Sequence, residues 1–392
     1  VSPGAGGGEG VPGRRATGAL RGPKVPLDPW RPIRTLRERE RLAGVPPPVG
    51  SPSGSRATSP SERPSEPLVA PALAIFLAGA ECPFRCVFCD LWRETLDGPT
   101  PAGAIATQVR LALDAPSAPD PSGDPPPLGE TVIKLYNASN FFDPRAVPVA
   151  DLDGVAALLA PARRVVVECH PRLVLGRGPE RGEALCRRFA EGLTGVSVGE
   201  SDGERGGGRG GASRLEVAMG LETVHPEAFP RLDKGMALDD FDRAAERLLA
   251  LGVAVRAFVL VGAPFVPPEE AVDWAVRSVA HALAAGATHV ALIPVRGGQA
   301  ALEELAARGD FTPPRLEQLE EALARSLALT AAGADHAGAV VTADLWDLER
   351  FAACRACLPA RRAQLERANL TGVLAGSAAA CPECGWEGGR GG

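Results

Sequence analysis

Ala72-Leu-Ala-Ile-Phe-Leu77, followed shortly by Cys82-Pro-Phe-Arg-Cys86-Val-Phe-Cys89, is the stretch from which the rest of the chain can be read. The apolar run reads as a strand buried on both faces, as in a parallel sheet. Three thiols then fall within eight residues, just past the end of that strand. Soft thiolates at this density select an iron–sulfur cluster or zinc. Three ligands with no fourth close by leave one metal position open, which marks chemistry rather than scaffolding.

Outward from this stretch, strands and helices alternate. Further strands are predicted over 131–136, 164–168, 215–221, 253–261 and 288–295. Helices are predicted over 101–113, 151–159, 180–193, 268–285 and 315–329, with another running from Asp239 as N-cap to Gly252. Six strands with helical crossovers predict an α/β fold, a partial (β/α)6 TIM-like barrel. Its sites gather at the carboxyl ends of the strands. Residues 114–129 read as a Pro-rich loop, and the Gly/Arg-rich run over 199–212 as an exposed insertion.

The chain has 392 residues, 45% hydrophobic and 23% charged, which supports a sizeable core and excludes a fibrous or wholly disordered protein. The formal net charge is −6; residues 1–66 hold 11 Arg/Lys against 6 Asp/Glu, or +5, so the remainder carries −11. An acidic body does not advertise a broad nucleic-acid surface, although a local basic groove stays open. Residues 1–66, rich in Gly, Pro and Arg, read as a disordered arm with room for a short helix near 33–42. The barrel is expected over 67–335 and a metal-binding extension over 336–392. The longest mostly apolar uncharged run has 13 residues, too short to span a bilayer, and the first 30 residues lack the apolar core of a secretory signal. The expectation is a cytoplasmic protein without membrane contact, whose nine cysteines serve as ligands or catalysts rather than disulfides.

The triad spacing, its place after a first strand and the aromatic Phe88 directly before Cys89 resemble the radical S-adenosylmethionine (SAM) superfamily, with an elongator-type core. The resemblance implies that Cys82, Cys86 and Cys89 hold three irons of a 4Fe–4S cluster, with SAM on the fourth. One electron would then cleave SAM to a 5′-deoxyadenosyl radical, and a flavodoxin or ferredoxin would supply it. The segment Val132 to Arg145 lies where that superfamily has its second strand; Asn137, Ser139 and Asn140 stand in place of its Gly-Gly-Glu contact to the SAM amino group. Glu168, in Val166-Val-Glu168-Cys-His170-Pro171, and Glu216 and Glu222, in the fourth strand, are further candidates for SAM contact. Gly262 resembles the fifth-strand glycine that packs near adenine. Within the superfamily, Gly220-Leu-Glu-Thr223, Asp233-Lys234-Gly235 and Ala291 to Gly297 are similar to the radical SAM partner of archaeosine synthase and its bacterial relatives. That implies work on a modified nucleoside or tRNA, with C–N cleavage as a model reaction and a nucleoside-modifying enzyme as a partner.

Period two adds a reading of its own. Glu216, Ala218, Gly220 and Glu222 share one face of the fourth strand and Leu215, Val217, Met219 and Leu221 the other. The apolar face packs on helices, so two carboxylates point into the barrel, towards SAM or towards a buried arginine such as Arg256.

A second signature lies near the carboxyl end. Cys354-Arg-Ala-Cys357 and Cys381-Pro-Glu-Cys384 are a four-thiolate set for zinc or a second iron–sulfur cluster, with Gly385 favouring the knuckle turn. Arg361, Arg362 and Arg367, between the pairs, read as a solvated helix face. Cys169 and Cys186 read as small buried residues, while His170 and Tyr136 are placed to reach the site or to pack beside it. Two alternatives stand beside the nucleoside reading. One is a radical SAM enzyme acting on a peptide or small metabolite, with an auxiliary cluster; the other is a non-catalytic zinc module that binds RNA or protein.

Overall fold

The computed structural model describes residues 23–43, 68–115, 125–195, 214–331, 334–374 and 381–385. Its strands are β1 (Arg34–Arg41), β2 (Val69–Phe76), β3 (Val132–Tyr136), β4 (Arg164–Glu168), β5 (Leu215–Glu222), β6 (Ala254–Val261), β7 (His289–Pro294) and β8 (Val340–Ala343). They form one sheet in sequence order; β1 is antiparallel to β2 and every later neighbour is parallel. The crossovers carry α1 (Ala104–Asp114), α2 (Val149–Leu159), α3 (Pro171–Val174), α4 (Gly182–Thr194), α5 (Ala228–Arg231), α6 (Leu238–Ala250), α7 (Ala271–Ala284), α8 (Ala300–Ala307) and α9 (Leu316–Ala328). Helix α10 (Leu358–Thr371) follows β8. This is the expected α/β partial barrel, enlarged by a strand at each edge.

Period two sorts the two faces as read. Leu215, Val217, Met219 and Leu221 join the main core between sheet and helices. On the concave face, Ala70, Ala72, Val132, Val166 and Ala218 form a small separate cluster. Alanine there leaves room for long charged side chains. Arg256 reaches Glu216 Oε1 and Glu40 Oε1, each at 2.5 Å, and Lys134 pairs with Glu38 at 2.5 Å and also with Glu40. Arg164 takes the other oxygen of Glu216 at 3.0 Å. Strands β1 and β6 are far apart in sheet order, so the Glu40–Arg256 pair is possible only because the sheet curls round on itself. A TIM barrel fills this space with apolar layers; here the filling is ionic.

Three expectations change. The arm over 1–66 is not wholly free of structure, and 33–42 is a strand rather than a helix. In Arg-Thr-Leu-Arg-Glu-Arg-Glu-Arg a charged face looks solvated, yet Glu40 is buried against Arg256 and Lys134 while the backbone pairs with β2. Residues 1–22 and 44–66 of that arm, and the insertion over 199–212, lie outside the described residues. The break expected after 335 is bridged, because β8 pairs with β7 and α10 packs on β1 and β8. Finally, Ala237 rather than Asp239 caps α6; its N–H donates to the carboxylate of Asp240 at 3.0 Å, which caps from inside the first turn. Gly252, at φ 70°, ends the helix as expected. Among the described residues no helix is long and apolar enough to cross a membrane.

Candidate active site and metal centre

The loop after β2 carries the cysteine triad to the carboxyl rim of the sheet, and the loops after β3, β4 and β5 hold it there. Val87 N–H donates to Leu232 O at 3.0 Å, and Gln299 Nε2 donates to Phe88 O at 2.6 Å. The Phe84 ring stacks on His170 with centroids 3.6 Å apart. The contact fixes one side of the loop between Cys82 and Cys86. Burial pushes the Cys86 thiol up to about 11 and the Cys89 thiol to about 12, so a metal entering here must displace protons.

Asn140 touches the triad directly. Its Nδ2 donates to Cys82 Sγ at 3.2 Å, and its Oδ1 accepts from His170 N–H at 2.6 Å. Its amide is therefore oriented, with the donor end on the sulfur. Asn140, one of the three residues standing where the superfamily contacts the SAM amino group, has the Cys82 sulfur as its partner here. His170 accepts from Arg172 N–H at Nδ1, so its Nε2 donates to Lys234 O at 3.0 Å. Burial, reinforced by the Lys234 charge, pushes its pKa down to about 2, which makes it a neutral brace.

Asn137 and Ser139 are different. Both amide atoms of Asn137 and the Ser139 hydroxyl are buried with no partner among the described residues. Ala138 between them holds φ 49°, a left-handed conformation that costs alanine about 1 kcal/mol. Three orphaned polar atoms beside a strained residue at a strand end fit a polar ligand better than a packed core.

Glu168 ends β4 nearby. Burial pushes its carboxyl up to about 8, opposed only by the backbone N–H of Asn137. Because the folded value exceeds the ordinary 4.5, ionisation is penalised in the fold. The penalty is absent below pH 4.5 and grows as pH rises to about 8. In metal-free protein, Glu168→Gln should therefore gain stability relative to wild type as pH rises from 4.5 to 8.5, read by urea denaturation. A difference independent of pH would remove the carboxyl from this role.

The other candidates are committed elsewhere. Both oxygens of Glu216 hold arginines, which realises the Arg256 alternative. Glu222, at φ 69° after a register shift in β5, pairs with Lys234 Nζ at 2.7 Å. A side chain at Gly220 would collide with that pair. Lys234 is buried, and its charge favours thiolate at both Cys82 and Cys86, against the burial of those thiols. Sequence reasoning missed it as a site residue, although it stands in the quoted Asp233-Lys234-Gly235. The Phe88 ring packs against the group of Leu260, Val266, Leu302 and Phe311. The close approach that Gly262 permits, at φ 71°, is made by the Pro314 ring, which a Cβ would meet at 2.8 Å.

Near the carboxyl end, the Sγ atoms of Cys354, Cys357, Cys381 and Cys384 all lie within 4.8 Å of one another. Cys354–Cys381 is 3.9 Å and Cys357–Cys384 3.8 Å. The Cys354 thiol is lowered to about 7, chiefly by the backbone N–H of Cys357, the knuckle geometry of a thiolate ligand. Gly385, at φ 70°, closes the second knuckle onto Cys381 O at 2.8 Å. Arg361 is not on a solvated face: it is buried and grips Glu320 and Glu317 of α9 at 2.6–2.7 Å.

No family model and no curated protein matches the sequence. Solved structures do match in part. Elp3 of Methanocaldococcus infernus is 13% identical over 55% of this chain and 47% of its own, with a TM-score of 0.38. For methylornithine synthase (PylB) the values are 14%, 69%, 70% and 0.41. Coproporphyrinogen III oxidase (HemN) from Escherichia coli, a radical SAM enzyme, gives 11%, 50%, 39% and 0.32. The chain thus spans about half the length of the first of these.

Proposed function

We propose that this chain is a radical SAM enzyme. The observation that carries the proposal is the trio of orphaned polar atoms on Asn137 and Ser139, set beside a loop of three cysteines whose spacing is that of the superfamily. Cys82, Cys86 and Cys89 would hold the cluster. When bound, that cluster supplies the electron that splits SAM into methionine and a 5′-deoxyadenosyl radical. Asn140 steadies the Cys82 sulfur, and the Phe84–His170 stack keeps the loop in place. Asn137 and Ser139 offer the hydrogen bonds for the polar end of SAM. The buried Glu168 carboxyl, short of a positive neighbour, suits the SAM ammonium.

The C-terminal site takes zinc. Four thiolates at about 2.3 Å from one tetrahedral ion lie about 3.8 Å apart; two pairs here stand at 3.8 and 3.9 Å and all four sulfurs within 4.8 Å. A cubane spreads its thiolates over separate irons and sets them further apart. Zinc here would tie the Cys381–Cys384 knuckle to the start of α10, and the spacing favours it over the auxiliary cluster of the peptide or metabolite alternative. The substrate is a modified nucleoside or tRNA base, on the strength of the motifs shared with the archaeosine synthase partner, and a flavodoxin or ferredoxin is the reductant.

Anaerobic reconstitution followed by iron, sulfide and zinc analysis tests these assignments. The expected result is about four irons and about one zinc per chain, with 5′-deoxyadenosine formed on adding SAM and reductant. About eight irons would put a second cluster at the C-terminal site, and about two zincs with no iron would leave a metal-binding module.

A further inference from the structure

The edge strand β1 brings an arginine to the rim with no acidic partner among the described residues. Arg34 lies opposite Phe76 in the β1–β2 register, at the carboxyl end of β2. Its guanidinium carbon sits 4.2 Å from the centroid of the Phe76 ring and 4.4 Å from that of Trp346, which follows β8. Its Nε is buried and has no hydrogen-bond partner among the described residues. Arg296, just after β7, holds the backbone of the same tryptophan; its Nη2 donates to Asp344 at 2.5 Å and to Trp346 O at 2.9 Å. Its Nε is likewise buried without a partner.

A guanidinium held against two rings has its faces covered, and only its edge remains for hydrogen bonding. That edge carries parallel N–H donors whose spacing fits two oxygens of a carboxylate or phosphate. Among the described residues Asp344 pairs with Arg296 and no ion pair is found for Arg34, so these three side chains keep a net positive charge. The cluster also adjoins the proposed SAM site: Phe76 touches Tyr136, with ring centroids 5.7 Å apart, and Tyr136 precedes Asn137. Trp346 is 45% exposed, so a ligand can reach the cluster from solvent.

We infer that Arg34, held by Phe76 and Trp346 and flanked by Arg296, binds an oxyanion of the substrate, a phosphate or a carboxylate. The inference deepens the reading of this rim as an active site and rests on it for calling the ligand a substrate. A single arginine edge gives about a 10-fold or larger contribution to oxyanion affinity. The ring contacts contribute less, a few-fold, because they only orient the edge.

The test reads binding and needs neither SAM nor turnover, so its failure is separable from failure of the enzyme reading. Full-length, metal-replete protein is titrated with inorganic phosphate and separately with acetate, while the arginine Nε–H resonances are followed by NMR, with Arg34 assigned from the Arg34→Met spectrum. The Arg34 signal should move saturably. Arg34→Met should weaken binding of the effective anion about 10-fold or more, and Trp346→Leu by a few-fold. A response to phosphate alone assigns a phosphorylated substrate, and one to acetate assigns a carboxylate. No movement of the Arg34 signal in either titration overturns the subsite, even if 5′-deoxyadenosine is formed. Should Arg34→Met fail to fold, Arg34→Lys, which keeps the charge but lacks an Nε–H, supplies the assignment, and the wild-type titration and Trp346→Leu still decide.

Discussion

Cys86→Ala abolishes 5′-deoxyadenosine formation and strips the iron, about four atoms per chain, while about one zinc stays. In the proposed site the residue is the middle ligand of the three, and its loss leaves no substitute sulfur within the turn. Cys169 is buried on the neighbouring β4–α3 connection, its Sγ turned to His170 O at 3.7 Å, and burial pushes its thiol up to about 12. It is a poor replacement. The four-cysteine group of Cys354 to Cys384 lies beyond β8 and shares no residue with the triad, so the two metals should separate cleanly in this variant. The check is paired metal analysis and chromatographic detection of 5′-deoxyadenosine under strict anaerobiosis. Iron and cleavage retained in the variant would remove Cys86 from the cluster and with it the case for the enzyme.

Arg256→Met destabilises the fold by about 3–5 kcal/mol, the cost of breaking a buried ionic group by deleting one member. Arg256 bridges Glu40 and Glu216, and all three side chains are almost wholly buried. Burial alone would raise the Glu40 carboxyl; Arg256 and then Lys134 overcome it and hold the group far below the usual carboxylate range. A lowered folded pKa means stability that is present above the ordinary 4.5 and lost as pH falls below it. The deficit of Arg256→Met should accordingly be full at pH 7 and shrink in acid. Adding Glu40→Gln to the variant should restore part of it at neutral pH, because one stranded charge goes. Urea denaturation across pH checks both statements. A deficit under about 1 kcal/mol would mean that water, not arginine, satisfies the carboxylates.

Legibility in the sequence followed apolar pattern and thiol spacing. Strands β2 to β7 are runs of Val, Leu, Ile and Ala with period-two faces, and they were readable because a parallel strand covered by helices must be apolar on its outer face. Strand β8 was missed because it has only four residues. Strand β1 was missed for a deeper reason. Its inward face carries Glu38 and Glu40, which have no place in a barrel until Lys134 and Arg256 stand opposite. The same partnering redirected the candidate site. Glu216, Glu222 and Asn140 looked alike as polar residues near strand ends, yet two hold cations and one holds a cysteine sulfur.

The sequence by itself determined the alternation of strand and helix, the two cysteine sets and the direction of every inward-facing side chain on β5 up to its bulge. These are local properties, set by side-chain period, ligand spacing and thiol chemistry. Tertiary structure alone decided which polar groups are satisfied and which wait for a ligand. Satisfaction depends on partners brought from distant positions by the curl of the sheet: Glu40 meets Arg256 across the barrel, and Arg34 meets Trp346 across its open edge. Asn137 and Ser139 meet no partner among the described residues. Burial turns each of those outcomes into free energy, because a polar atom removed from water must be paired by the chain or by what the chain binds.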